Sequence, residues 1–155
     1  MSIQTVLAPA LPALAAGLLA AACSGPTTPS GPQGDLEANR QRFRRQVGAT
    51  YEVEHSSQCF CVADVREPVR LSVRDGKIAG AVRVADGSAV PPERWQNFHT
   101  VEAVFDRIDA ELRAGRRVGV KYDAGYGYPT RTEIGTLAND AGIVIVLRDV
   151  QPRSR

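Results

Sequence analysis

The chain has 155 residues, room for one domain with some sequence to spare. Hydrophobic residues are 43% and charged residues 23% of it, the composition of a globular protein able to bury a modest core. A net charge of +2, from 19 basic and 17 acidic side chains, is too balanced to imply nucleic acid as a partner.

The first 22 residues carry no charge, and Ala13 to Ala22 form an apolar run of signal-peptide length. Such a run is short of the roughly 20 apolar residues needed to span a bilayer, and Pro9 and Pro12 would disturb a helix begun earlier. It ends in Leu-Ala-Ala-Ala-Cys at 19–23, which resembles the lipobox of bacterial lipoproteins, where a cysteine is diacylated and becomes the new N-terminus. Leu19 stands one place earlier than the usual lipobox leucine, and no Lys or Arg precedes the run. Cys23 is the expected lipidation site, so residues 1–22 read as a signal peptide and a membrane is the expected partner through N-terminal lipid. Cleavage after Ala20-Ala21-Ala22 would instead release a soluble secreted or periplasmic protein.

Residues 23–34 form a Gly/Pro/Ser/Thr leash without large apolar side chains, so burial offers nothing to offset the entropy of ordering it. Residues 35–150 read as a single domain and 151–155 as a disordered tail. Asp35 is a plausible N-cap for a helix from Leu36 to Val47, closed by Gly48. Leu36, Phe43 and Val47 share a thin apolar stripe, which places this helix at the periphery. Arg40, Arg42, Arg44 and Arg45 fill much of the rest, as a solvated face or as a contact for anionic head groups.

Period-two alternation marks strands at 50–55 and 69–74, and Asp75-Gly76 turns the latter into a second hairpin strand at 77–84. Residues 85–98, with Pro91-Pro92 and Trp95, read as a loop that packs its aromatics on the domain. Thr100 can cap the clearest helix, whose Val101, Val104, Phe105, Ile108 and Leu112 make a wide apolar stripe, ended by Gly115. Three further strands fall at 117–123, 130–135 and 142–148. The expected class is α+β: an antiparallel sheet of about five to six strands, one packed amphipathic helix and a peripheral N-terminal helix.

Several separated features resemble one bacterial family. They are Tyr51-x-Val53 after the arginine-rich helix, Cys59-Phe60-Cys61, Val73-Arg-Asp-Gly-Lys77, Thr100-Val-Glu-Ala-Val-Phe-Asp106 and Tyr122-Asp-Ala-Gly-Tyr-Gly-Tyr-Pro129. Together they look like the domain of unknown function numbered 6174, found in bacterial lipoproteins. The resemblance covers Leu36 to Leu147 and implies fold and location, not chemistry. Family members tend to carry an aspartate-rich strand and acidic cluster after the Tyr-Gly-Tyr-Pro segment, where this chain has Glu133-Ile134-Gly135 and only Asp140 later.

Cys59 and Cys61 are the foremost candidates for chemistry. With Cys23 lipidated they are the remaining cysteines, in an oxidising compartment. In an extended strand, residues two apart lie roughly 6.6 Å apart. Bonded cysteines need Cβ atoms about 3.8 Å apart, so a disulfide here requires a bend. A local structural disulfide, free or interchain thiols, and a redox role all remain open, as does a soft copper or zinc site with His55 in the pattern H-x3-C-x-C. His99 would be needed to complete such a site. A hydrogen-bonded, half-buried His55 is the plainer alternative. Tyr122, Tyr126 and Tyr128, around Gly125 and Gly127, offer stacking faces for a binding surface, or simply cover the core edge at a tight connection. With two histidines, no G-x-S-x-G and no H-E-x-x-H, nothing nominates a nucleophile or a cofactor. The expected function is an envelope-bound, non-enzymatic binding or structural module acting on an unidentified envelope protein or ligand. The rival is a thiol-redox or metal-handling protein.

Overall fold

A computed structural model describes residues 31–61, 63–137 and 142–154. The expected signal segment, Cys23 and most of the expected leash lie outside them. The elements are α1 (Pro32–Gln46), β1 (Tyr51–Gln58), a short helix α2 (Ala63–Arg66), β2 (Val69–Arg74) and β3 (Lys77–Arg83). A 3-10 turn (Pro92–Asn97), α3 (Val101–Arg113), β4 (Val118–Tyr122), β5 (Pro129–Ile134) and β6 (Ile143–Pro152) follow. The fold is α+β, a six-stranded antiparallel sheet in the order β3-β2-β1-β6-β5-β4.

The order has a simple origin. Two three-stranded meanders, β1-β2-β3 and β4-β5-β6, are joined by the pairing of β1 with β6 at the centre. The chain must therefore travel from one sheet edge to the other between β3 and β4, and α3 makes that crossing. The crossing explains the width of the apolar stripe, for Val101, Val104, Phe105 and Ile108 are all buried. Thr100 caps α3, its Oγ1 accepting from the Ala103 amide at 3.2 Å. Gly115, at φ 70°, closes the helix with its N–H on the Leu112 carbonyl.

Strand alternation places Tyr51, Val53, His55 and Ser57 of β1 on the helix-covered face. The edge of the Phe43 ring meets Tyr51, with centroids 5.3 Å apart and planes at 86°, and the Phe105 ring lies 6.2 Å away. The Tyr51 hydroxyl accepts from the Val101 N–H at 2.9 Å and donates to Glu102 Oε2 at 2.5 Å. A core tyrosine thereby satisfies a first-turn amide of α3 that has no intrahelical partner. Burial first, and Glu102 beside it, raise the phenol well above its ordinary range.

Boundaries differ from expectation at both ends of the domain. Asp35 is not an N-cap: α1 starts at Pro32, behind Gly31, and Asp35 sits in its first turn. Proline at the first helical position has no N–H to satisfy and a preset φ, so the helix extends back into the expected leash. The thin stripe of α1 also goes deeper than a peripheral helix requires, since Leu36 and Phe43 belong to the main core. At the other end, Gln151 and Pro152 pair with Glu52 and Tyr51, and the Arg153 N–H bonds the Thr50 carbonyl. β6 thus absorbs the start of the expected tail. The 85–98 segment contains the 3-10 turn, and Trp95 Nε1 donates to the Val90 carbonyl at 2.9 Å.

Removing only the Tyr51 hydroxyl should cost about 1–3 kcal/mol, because the Val101 amide stays buried without its acceptor. Tyr51→Phe, measured by urea unfolding, should lower the midpoint with an unchanged slope. An unaltered midpoint would show that the hydroxyl bridge contributes nothing.

Candidate functional site

Below the Tyr51 end, the helix-covered face of the sheet turns polar. Ser57 of β1 and Thr132 of β5 flank Ile145 of β6, and all three are buried. His55, two residues before Ser57, lies between Val69 and Leu147 in register. Its ring stands edge-on to Phe98, centroids 5.6 Å apart, and stacks on His99 at 5.9 Å with planes 15° apart. His55 is 0% exposed. Among the described residues, neither of its ring nitrogens has a hydrogen-bond partner, and neither does Ser57 Oγ, Thr132 Oγ1 or His99 Nδ1.

The half-buried, hydrogen-bonded histidine expected at His55 is therefore corrected. Both strands beside it carry core residues, and the Phe98-His99 segment leading into α3 covers it. Burial pushes the His55 imidazole down to about 3, and the neighbouring His99 acts in the same direction. His99 is also lowered, by burial first and then by Arg107. Both rings are thus held toward the neutral form.

β1 ends at Gln58, and the next three residues bend away from the sheet. Cys59 and Cys61 are disulfide-bonded across that bend, their Cα atoms 5.2 Å apart. The separation is shorter than the roughly 6.6 Å of an extended strand, as the bonded pair requires. Between them Phe60 projects into solvent, 72% exposed, the most exposed of the large hydrophobic side chains described. An open groove of about 710 Å³ runs beside this bend, lined by Ser57, Gln58, Cys59, Phe60, Cys61, Arg66 and Leu137. One end of the sheet thus presents an exposed aromatic, a disulfide and an arginine around a groove, with the Ser57 side chain in its lining.

The disulfide joins no two elements, and neither cysteine belongs to the main core. The chain-entropy relation assigns a loop of three residues only about 1.6 kcal/mol, against about 3 kcal/mol for a loop of fifteen. With the pair oxidised, both sulfurs are committed to each other, and His55 is enclosed by Phe98 and His99. Among the described residues no group of three or more His, Cys, Asp or Glu side chains is placed to hold a metal ion.

The tyrosine segment lies elsewhere and faces largely inward. Tyr128 is buried, Tyr122 stacks on Phe105 at 6.4 Å, and Tyr126 packs against the core. Burial, then Asp35, push the Tyr122 phenol up to about 12. The turn is built by Asp123, whose Oδ1 accepts from the Tyr126 N–H at 2.6 Å and whose carbonyl accepts from the Gly127 N–H. Gly127 has φ 79°, and a Cβ there would come within 2.8 Å of the Asn39 carbonyl oxygen of α1. This loop is a close contact with α1, which explains its glycine. The α1 arginines divide likewise. Arg40 pairs with Asp106 at 2.6 Å and lies 5.4 Å over the Phe105 ring. Arg42 donates to the Ala124 carbonyl at 3.3 Å, while Arg44 and Arg45 face solvent.

What sequence reading missed was Ser57, Thr132 and Arg66. Ser57 continues the alternation of β1 two residues past His55, and that phase was the available signal. Thr132 and Arg66 reach the same end of the molecule only through sheet order and the bend.

The geometry defines a class: a small meander-built α+β domain with an open groove, lined by a disulfide and an arginine, at one end of its sheet. Within that class, the chain belongs to the family described as a family of unknown function, DUF6174, whose profile matches residues 35–152. No curated protein and no solved structure matches it.

Two outcomes follow. With a folded-state value of about 3 against 6.5 for an ordinary imidazole, His55 binds its proton preferentially in the unfolded chain. Its stabilising effect is complete above pH ~6.5 and falls away as the pH drops toward ~3, at up to about 1.4 kcal/mol per pH unit. His55→Leu should flatten this acid limb when unfolding midpoints at pH 7 and pH 4.5 are compared, and an unchanged limb would assign the acid sensitivity elsewhere. The double replacement Cys59→Ser/Cys61→Ser should cost under about 2 kcal/mol and leave a cooperative thermal transition. Loss of folding would make the bond a structural necessity.

Proposed function

We propose that this chain is an exported cell-envelope protein, lipid-anchored through Cys23, whose domain is a non-enzymatic binding module docking a partner at the Phe60 groove. The single observation that carries the docking reading is Phe60, 72% exposed at the rim of a groove of about 710 Å³. Aromatic side chains set against pockets are the usual centres of binding energy. The tethering reading rests on the apolar run ending in Ala-Ala-Ala-Cys23 and on the sequence between Cys23 and α1, which is rich in Gly, Pro, Ser and Thr. Acyl chains contribute about 0.8 kcal/mol per buried methylene, and two signals or chains make attachment durable.

Mass spectrometry of the mature N-terminus should show a diacylated Cys23, and an unmodified cysteine there would replace tethering with a soluble export product. A photoreactive residue at position 60 should form one dominant crosslink in the native envelope. The same probe at exposed Lys77, beside the β2–β3 turn at the Tyr51 end of the sheet, should not. Equal labelling at both positions would overturn the docking reading.

A further inference from the structure

We propose that the Cys59–Cys61 disulfide is exchange-active, accepting an electron pair from a protein dithiol that docks in the groove beside it. This rests on the reading of that groove as a docking surface and adds the chemical class of the partner. Four observations carry it. The bond closes a loop within one bend and connects no core elements, so holding the fold together does not account for it. Both cysteines are partly exposed, and both line the groove, which gives an incoming thiolate access to the sulfurs. Arg66 lines the same groove, and a cation near a sulfur favours its thiolate form as nucleophile or leaving group. Ser57 is 2% exposed, its Oγ lacks a partner among the described residues, and it too lines the groove.

The step balances. One thiolate of the partner attacks one sulfur of the pair, forming a mixed disulfide and releasing the other cysteine as a thiolate that takes up a proton. The partner's second thiol then loses its proton and displaces the remaining cysteine. The partner becomes a disulfide, Cys59 and Cys61 become two thiols, and two electrons and two protons have moved.

Reduced thioredoxin serves as the protein dithiol and dithiothreitol as the small one, both acting on the folded full-length chain. Reaction is followed by alkylation and mass analysis of the peptide holding residues 59–61, so Cys23 does not enter the count. Thioredoxin is expected to expose both thiols while circular dichroism stays unchanged. Phe60→Ala should slow thioredoxin about tenfold while leaving the dithiothreitol rate within about twofold, the mark of docking rather than altered bond chemistry. A bond that stays oxidised until the protein unfolds, or a thioredoxin rate indifferent to Phe60→Ala, would overturn the proposal. A position-60 crosslink in the native envelope from a chain whose bond resists thioredoxin would leave docking standing without exchange; absence of that crosslink would remove the docking surface itself.

Discussion

The fold depends on Tyr51. Its ring sits between the α1 core residue Phe43 and the sheet, and its hydroxyl holds the first turn of α3 through Val101 and Glu102. One side chain of a central strand therefore fixes both helices. A phenylalanine could fill the space but could not accept from the helix amide, and a polar residue could accept but not fill it. α3 must be fixed there because it carries the chain from the β3 edge of the sheet to the β4 edge. With it are placed Phe98 and His99, which cover His55.

From that end of α3 the molecule changes character. The Tyr51 region is apolar and satisfied, whereas the His55, Ser57 and Thr132 region keeps buried nitrogen and oxygen atoms without partners among the described residues. Such groups cost about 1–3 kcal/mol each when nothing pairs with them, so a sequence selected for stability alone would have apolar residues there. Ser57, one of these residues, lines the groove in which Phe60, Arg66 and the disulfide meet. Among the described residues, five of the six buried side-chain atoms without a partner belong to this end of the sheet, and that concentration is the physical ground for placing a site there.

Elements set by local pattern were legible. The period-two runs of β1 and β2, the Asp-Gly turn that leads into β3 and the stripe of α3 are written in neighbouring residues, and each folds as its pattern requires. Positions set by non-local contacts were not. Asp35 has the chemistry of an N-cap, yet Pro32 starts the helix earlier. For Tyr126 and Tyr128 the sequence leaves open a binding surface or a cover for the core edge, and they pack inward, where the loop backbone meets α1 at Gly127. His55 reads as half-buried from its strand phase alone, and only the segment folded over it makes it fully enclosed.

Sequence by itself determined the α+β class, a family pattern from Leu36 to Leu147 that the family profile widens to 35–152, and the need for a bend if Cys59 and Cys61 are bonded. Periodicity and bond geometry are properties of a few consecutive residues, so they survive without the fold. Tertiary structure decided that β1 and β6 pair at the centre, that Tyr51 bridges both helices, and that Ser57, Arg66, Leu137 and the disulfide surround one groove. Those residues are distant in the chain. Burial of a shared apolar face, not any local preference, brings them together.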